Sequence, residues 1–224
     1  MRFARSFLLN RQRPRASASA PGALRGRGET AGMASWNRVT PYGEIVVSGI
    51  RGRWMGNRGC IHAGREIVRP WNGKRWIICA LEFKGWVAPK WAPGRWTALF
   101  FTDEALAFAA GHRPCALCRR AAYARYRDAL GLGGADAIDA RLHAERLDGR
   151  KKRVHVAPWH SLPAGTFVDV DGAPYLVLRD RLRRWSPQTG YGDERERPSR
   201  GDARVLTPPS SLEVIRAGYD LQIG

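Results

Sequence analysis

Phe101-Thr-Asp-Glu-Ala-Leu-Ala-Phe-Ala-Ala-Gly-His-Arg-Pro-Cys-Ala-Leu-Cys-Arg-Arg120 carries a change of secondary structure and a pair of thiols within one short run. Thr102 is a suitable N-cap, Asp103 and Glu104 place negative charge at the positive end of the helix dipole, and Gly111 closes the helix. Cys115 and Cys118 then flank a tight turn. Two thiols at that spacing reach one tetrahedral ion with metal–sulfur distances of about 2.3 Å. The second cysteine opens another helix, whose free N–H groups favour thiolate, and Arg113, Arg119 and Arg120 favour it further. A redox Cys-x-x-Cys would sit in a parallel βαβ pattern, which the surrounding sequence lacks.

A structural Zn2+ takes four ligands. Cys60, His62 and Cys79 are the nearest candidates upstream. Cys60 and His62 are two apart on an expected strand and so share a face, while Cys79 lies on an expected partner strand. The preferred set is His62, Cys79, Cys115 and Cys118; the alternative replaces Cys79 by Cys60.

Outward from this centre, residues 44–50, 59–62, 75–83 and 96–101 read as strands, and Asn72-Gly73 predicts a hairpin between 75–83 and the 59–68 region. Downstream, helices are expected over 118–130 and 136–147, followed by the basic linker Gly149-Arg-Lys-Lys-Arg153. Asp171-Gly172 predicts a hairpin over 166–178, residues 187–202 read as a mobile polar loop, and Ser210-Ser-Leu-Glu213 is a capping box for a last helix. The expected fold is α+β: mostly antiparallel sheet, a helical zinc knuckle and a small C-terminal β-hairpin subdomain. The expected divisions are an Arg/Ala-rich leader or over-extended start over 1–32, a zinc-binding domain over 33–148, the hairpin subdomain with its loop over 149–207, and the helix over 208–224.

Charge narrows the partners. The 38 Lys+Arg against 20 Asp+Glu give +18, a balance drawn to polyanions and first of all to nucleic acid. Between Arg51 and Trp96 ten basic residues interleave with six tryptophans, the mixture that single strands and flipped bases use. Tryptophan is also a core residue, and Trp76, inside the clearest strand, is expected in the core. Arg51, Arg53 and Arg58, in a glycine-rich loop, are the expected phosphate contacts, together with Arg113, Arg119 and Arg120. No apolar run is long enough to span a membrane, and a cytoplasmic location is expected. Gly-rich phosphate loops, Ser-His-Asp arrangements and His-Glu-x-x-His motifs are missing. His155 and His160 are the pair that a nuclease would use, although an isolated strand histidine is more often core or surface.

An aromatic strand end, an acidic helix start, Glu104-Ala-x-Ala-x-x-Ala-Gly111 and then Arg113-Pro-Cys-x-x-Cys118 resemble the end of the zinc module of the Ada DNA-repair family. That module is also appended to bacterial nucleases. The resemblance implies a four-ligand zinc module with Cys115 and Cys118 as its second ligand pair. Nothing here matches the motif of the module's first ligand pair, and no helix-turn-helix follows. The expected function is therefore a zinc-stabilised basic protein binding nucleic acid in DNA repair or processing. The alternatives are a metal-dependent nuclease or base-modifying enzyme, and a protein-interaction scaffold with purely structural zinc.

Overall fold

Short β-branched and aromatic runs, punctuated by glycine, proline and asparagine, form short strands rather than helices. The computed structural model describes residues 35–224. Its first sheet comprises β1 (Ser35–Val39), β2 (Ile45–Ser48), β3 (Trp54–Asn57), β4 (Ile77–Cys79), β5 (Leu99–Phe101) and β6 (Arg113–Pro114), in the order β6-β4-β3-β5-β1-β2. The β1–β5 and β6–β4 pairs are parallel; the others are antiparallel. The fold class is α+β with mostly antiparallel sheet, as the sequence implies.

The hairpin expected after Asn72-Gly73 does not form. β4 pairs instead with β3, Met55 opposite Cys79, and residues 59–68 fold away into a two-rung ribbon in which His62 faces Ile67. Gly56 makes the β3–β4 approach possible. A Cβ there would lie 2.3 Å from the Ile77 carbonyl oxygen and 2.7 Å from the Phe101 ring.

Helix α1 (Glu104–Ala109) is capped by Asp103, whose Oδ1 accepts from the Leu106 amide at 2.8 Å. Thr102, the expected cap, lies one residue too early and accepts from Trp185 Nε1 at 3.2 Å. Every residue of α1 is buried, including Glu104, whose Oε1 accepts from Tyr219 at 2.8 Å and pairs with Arg119 at 2.6 Å. Helix α2 (Arg120–Leu130) stops at Gly131, in the left-handed conformation that glycine adopts most readily. Helices α3 (Ala135–Arg146) and α4 (Pro209–Arg216) complete the set of the described residues, and no helix is long and apolar enough to cross a membrane.

The second sheet is larger than the hairpin subdomain expected. It comprises β7 (His155–Pro158), β8 (Phe167–Val170), β9 (Ala173–Val177), β10 (Arg181–Ser186), β11 (Gly190–Glu196) and β12 (Asp202–Val205), ordered β7-β12-β8-β9-β10-β11 and antiparallel throughout. Asp171 and Gly172, both at positive φ, make the two-residue turn of the β8–β9 hairpin. The expected loop over 187–202 contains β11, an edge strand. Its charge is what hid it: Glu194 pairs with Arg183 of β10 at 2.6 Å, and charged edge strands resist pairing with other chains.

One core serves both sheets. Leu99 and Phe101 of the first sheet, all apolar residues of α1, Tyr126, Ile138 and Leu142 of α2 and α3, and Phe167, Leu176 and Trp185 of the second sheet belong to a single buried cluster. The alternate residues Val168, Val177 and Leu182 face a second cluster with Trp159, Val205 and Leu212, as the two-residue period of a strand requires.

Candidate metal centre

The thiol group is a consequence of register. β6 lies parallel to β4 with Arg113 beside Ile77 and Pro114 beside Ile78. Pro114 is tolerated because β6 is an edge strand. The Cys115 amide continues the ladder by donating to the Ile78 carbonyl at 2.9 Å, which sets Cys115 next to Cys79, the last residue of β4. The chain turns through Ala116 and Leu117, the Leu117 amide pointing at Cys115 Sγ at 3.4 Å, and Cys118 returns to the same point. The ligand atoms of Cys79, Cys115 and Cys118 all lie within 4.8 Å of one another. Sulfurs on a tetrahedral ion with bonds of about 2.3 Å are roughly 3.8 Å apart, so small side-chain adjustments suffice.

The protons of the group report the same crowding. Hydrogen bonds from Cys118 and Cys79, with help from the Cys118 and Leu117 amides, bring the Cys115 thiol down to about 2 despite its burial. Cys79, donating to Cys115 and Cys118 and buried, is pushed up; Cys118, donating to Cys115, also moves up. Three crowded thiols whose proton affinities are pulled apart suit a divalent cation, which takes all three as thiolates. The three cysteines are close enough to hold a metal ion.

His62 is not brought into this group. Its Nδ1 is hydrogen-bonded to Thr97 Oγ1 at 2.6 Å, and its ring stands edge-on to Trp91 at 5.5 Å. The expectation failed because the strand pairing did: His62 belongs to the ribbon, not to a partner of β4. Cys60, half-buried, also lies outside the group. Beside the sulfurs there is a cavity of about 260 Å3, walled by Met55, Ile77, Phe83, Trp86, Trp96 and Leu117. The polar side chain in its wall other than the thiols, Asn57, accepts from the Gly59 amide at 3.2 Å.

The six arginines expected to meet phosphate divide. Arg51, Arg53 and Arg120 are exposed. Arg113 is buried and bound to both oxygens of Asp139, at 2.9 and 2.7 Å, so it ties β6 to α3. Arg119 pairs with Glu104 and lies 3.8 Å from the Trp54 ring centroid. Arg58 is buried as well: its Nε donates to His112 Nε2 at 3.2 Å, its Nη1 to the Gly43 carbonyl at 2.7 Å, and its guanidinium stacks on Trp76. For these three, a solvated phosphate contact is corrected to an internal role, since β6, α1 and Trp76 enclose them. His155 is held by the Glu145 carbonyl at 2.8 Å, and His160 is exposed on the short helical turn Trp159–Ser161. Arg146 carried no local signal, yet it joins Arg58 on Trp76, and Lys152, from the basic stretch 149–153, lines one cavity with them.

Compared with known proteins, the chain matches no family model, no curated protein and no solved structure.

Proposed function

We infer that the protein holds a zinc ion on Cys79, Cys115 and Cys118 and binds single-stranded or locally unpaired nucleic acid along the segment that borders this centre. One observation carries the reading: nine of the ten cations between Arg51 and Arg95 are exposed, and Arg75 alone of the nine has a carboxylate within ion-pairing reach among the described residues, Asp136 at 3.8 Å. Cations used for internal pairing would have partners; these point to solvent. In the same segment Trp86 is 49% exposed at the lip of the thiol cavity, offering a flat surface on which a base stacks while Lys84, Lys90 and Arg95 meet phosphate. Bound zinc would clip the turn before α2 to β4, and with it the aromatic wall. The likeness to the Ada module supports this reading only through Cys115 and Cys118.

Fluorescence anisotropy with a 3′-labelled, 5′-hydroxyl single strand tests it. Micromolar or tighter binding at low salt, weakening steeply as salt rises, is the expected result. Trp86→Ala should weaken it by roughly fivefold to a hundredfold, the range for one stacked base. Failure of the wild-type protein to bind at low salt removes the proposal.

A second reading, a metal-dependent enzyme acting on nucleic acid, is favoured by the three-thiol count. Three protein sulfurs would leave a fourth position to another ligand, and all three thiols line the aromatic cavity; catalytic rather than closed structural sites keep such a position. Incubating the zinc-loaded protein with single strands and resolving the products by mass decides between binding and turnover.

A further inference from the structure

Trp76 immediately precedes β4 and carries two stacked guanidinium groups, with Arg58 and Arg146 each 3.9 Å from a ring centroid. Lys152, half-buried, reaches inward to donate to the carbonyl of Ala109, the last residue of α1. Arg58 and Arg146 are each 1% exposed. None of the three has an ion-paired carboxylate among the described residues. Asp139, the carboxylate whose charge acts on Arg146, is occupied by both bonds to Arg113.

Buried charges without counter-ions are costly and ordinarily paired. Here the imbalance faces a cavity of about 460 Å3, within the range of about 300–1,000 Å3 typical for small-molecule sites. Arg150, Lys151 and Arg204 line it further, so six cations confront two carboxylates, Glu44 and Asp169. Asp169 is itself 3.5 Å from Arg204. Arg58 Nη2 is a buried donor with no partner, on a side chain in the cavity wall. Burial, then the repulsion of Arg58 and Arg146, brings Lys152 down to about 7; burial brings Arg146 down to about 9.

We propose that this cavity binds a phosphate monoester, gripped by Arg58, Arg146 and Lys152, with an aromatic or heterocyclic group lying along Trp71. The charge count selects the ligand class. A carboxylate or an internal phosphodiester brings one negative charge, whereas a monoester brings about −1.5 to −2 and three acceptor oxygens. Arg146 gives Nη1 and Nη2 to the carbonyls of Gly111 and Lys74, so the donors left without a partner are Arg58 Nη2 and Arg146 Nε, and the remaining cations supply charge. Trp71, half-buried in the same wall, stands where a base attached to the phosphate would extend. Two sources carry this chemistry: a free nucleoside 5′-monophosphate and the 5′-phosphorylated end of a strand. The site does not depend on the nucleic-acid reading above, whose test uses a 5′-hydroxyl strand.

Calorimetric titration of the full chain with inorganic phosphate, a nucleoside 5′-monophosphate, the matching nucleoside, and 5′-phosphorylated and 5′-hydroxyl forms of one oligonucleotide separates the outcomes. The monophosphate should bind at least tenfold more tightly than the nucleoside. Arg58→Gln and Lys152→Met should each weaken it at least tenfold, while Arg127→Gln, on the exposed face of α2, should not. Lys152→Met is at the less buried of the two positions and guards against a misfolded Arg58 variant; far-ultraviolet circular dichroism confirms the fold of both. A tenfold preference for the 5′-phosphorylated over the 5′-hydroxyl strand assigns the strand end; mononucleotide binding without that preference assigns the free nucleotide. Either supports the site. Equal binding of nucleoside and monophosphate, binding unchanged in both variants, or no saturable binding of any phosphate monoester at millimolar concentration overturns it.

Discussion

Trp76-Ile-Ile-Cys79 holds a candidate site at each end, and the two handle charge in opposite ways. At Cys79, the ligand atoms of three thiols crowd within 4.8 Å of one another, and a cation would favour all three as thiolates. At Trp76, two guanidinium groups stack on one indole beside Lys152, and none of the three has an ion-paired carboxylate among the described residues. The strand alternates between them, Trp76 and Ile78 on one side, Ile77 and Cys79 on the other. Two of the three thiols come from one four-residue motif, whereas the cations come from the residue after β3, the end of α3 and the short hairpin that follows it, in which Leu147 and Asp148 pair with Lys152 and Lys151. Like groups held together in a folded interior suit a ligand of opposite charge, which is what is proposed for both sites.

The largest effect expected is at the sulfurs. Cys115→Ser should reduce zinc from about one per chain to nearly none, measured by elemental mass spectrometry after dialysis. Cys60→Ser and His62→Gln should leave it unchanged; loss of metal in the His62 variant would restore histidine as a ligand.

Next comes the contrast between a paired and an unpaired buried arginine. Arg113→Met strands Asp139 and should cost about 3–5 kcal/mol in denaturant unfolding. Arg58→Met, in buffer free of phosphate, removes an unbalanced cation, so relief of its desolvation offsets part of the lost stacking on Trp76 and of the lost bonds to His112 and the Gly43 carbonyl, and the net cost should stay below about 2 kcal/mol. Equal losses would mean that Arg58 is simply structural.

A smaller effect is linked to pH. Lys152 is near 7 in the folded protein and near 10.5 when unfolded, so between these values the unfolded chain binds the extra proton and stability rises with pH. Below about pH 7 both states are protonated and the burial penalty is complete. Wild-type protein should therefore gain on Lys152→Met between pH 6.5 and 9, by the difference in thermal midpoints. Bound phosphate should shrink that gain, because an anion beside Arg58, Arg146 and Lys152 raises the lysine again.

The smallest effects belong to the surface. Arg51→Gln and Arg120→Gln should each lower the slope of log affinity against log salt for single strands by about 0.7, one phosphate contact's share, without altering metal content.

Much of this fold follows from local chemistry. Asp103 and Gly111 bound α1, Gly131 ends α2 with left-handed geometry, and Asp171-Gly172 turns the β8–β9 hairpin; each rests on near neighbours, and the sequence alone determines it to within a residue or two. The Cys115–Cys118 pair is local in the same sense. Strand partnership is not. Residues 59–68 and β3 offer β4 comparable apolar edges, and the choice of β3 follows from Gly56, whose missing side chain lets Ile77 and Phe101 close in. That choice brings Cys79 to the other thiols and leaves His62 bound to Thr97. Tertiary structure likewise decided which arginines meet solvent: Arg58, Arg113 and Arg51 are alike as residues, and only the packing around Trp76 and Asp139 separates buried charge from exposed. Pairing and burial are long-range energies summed over many residues, so no window of sequence contains them.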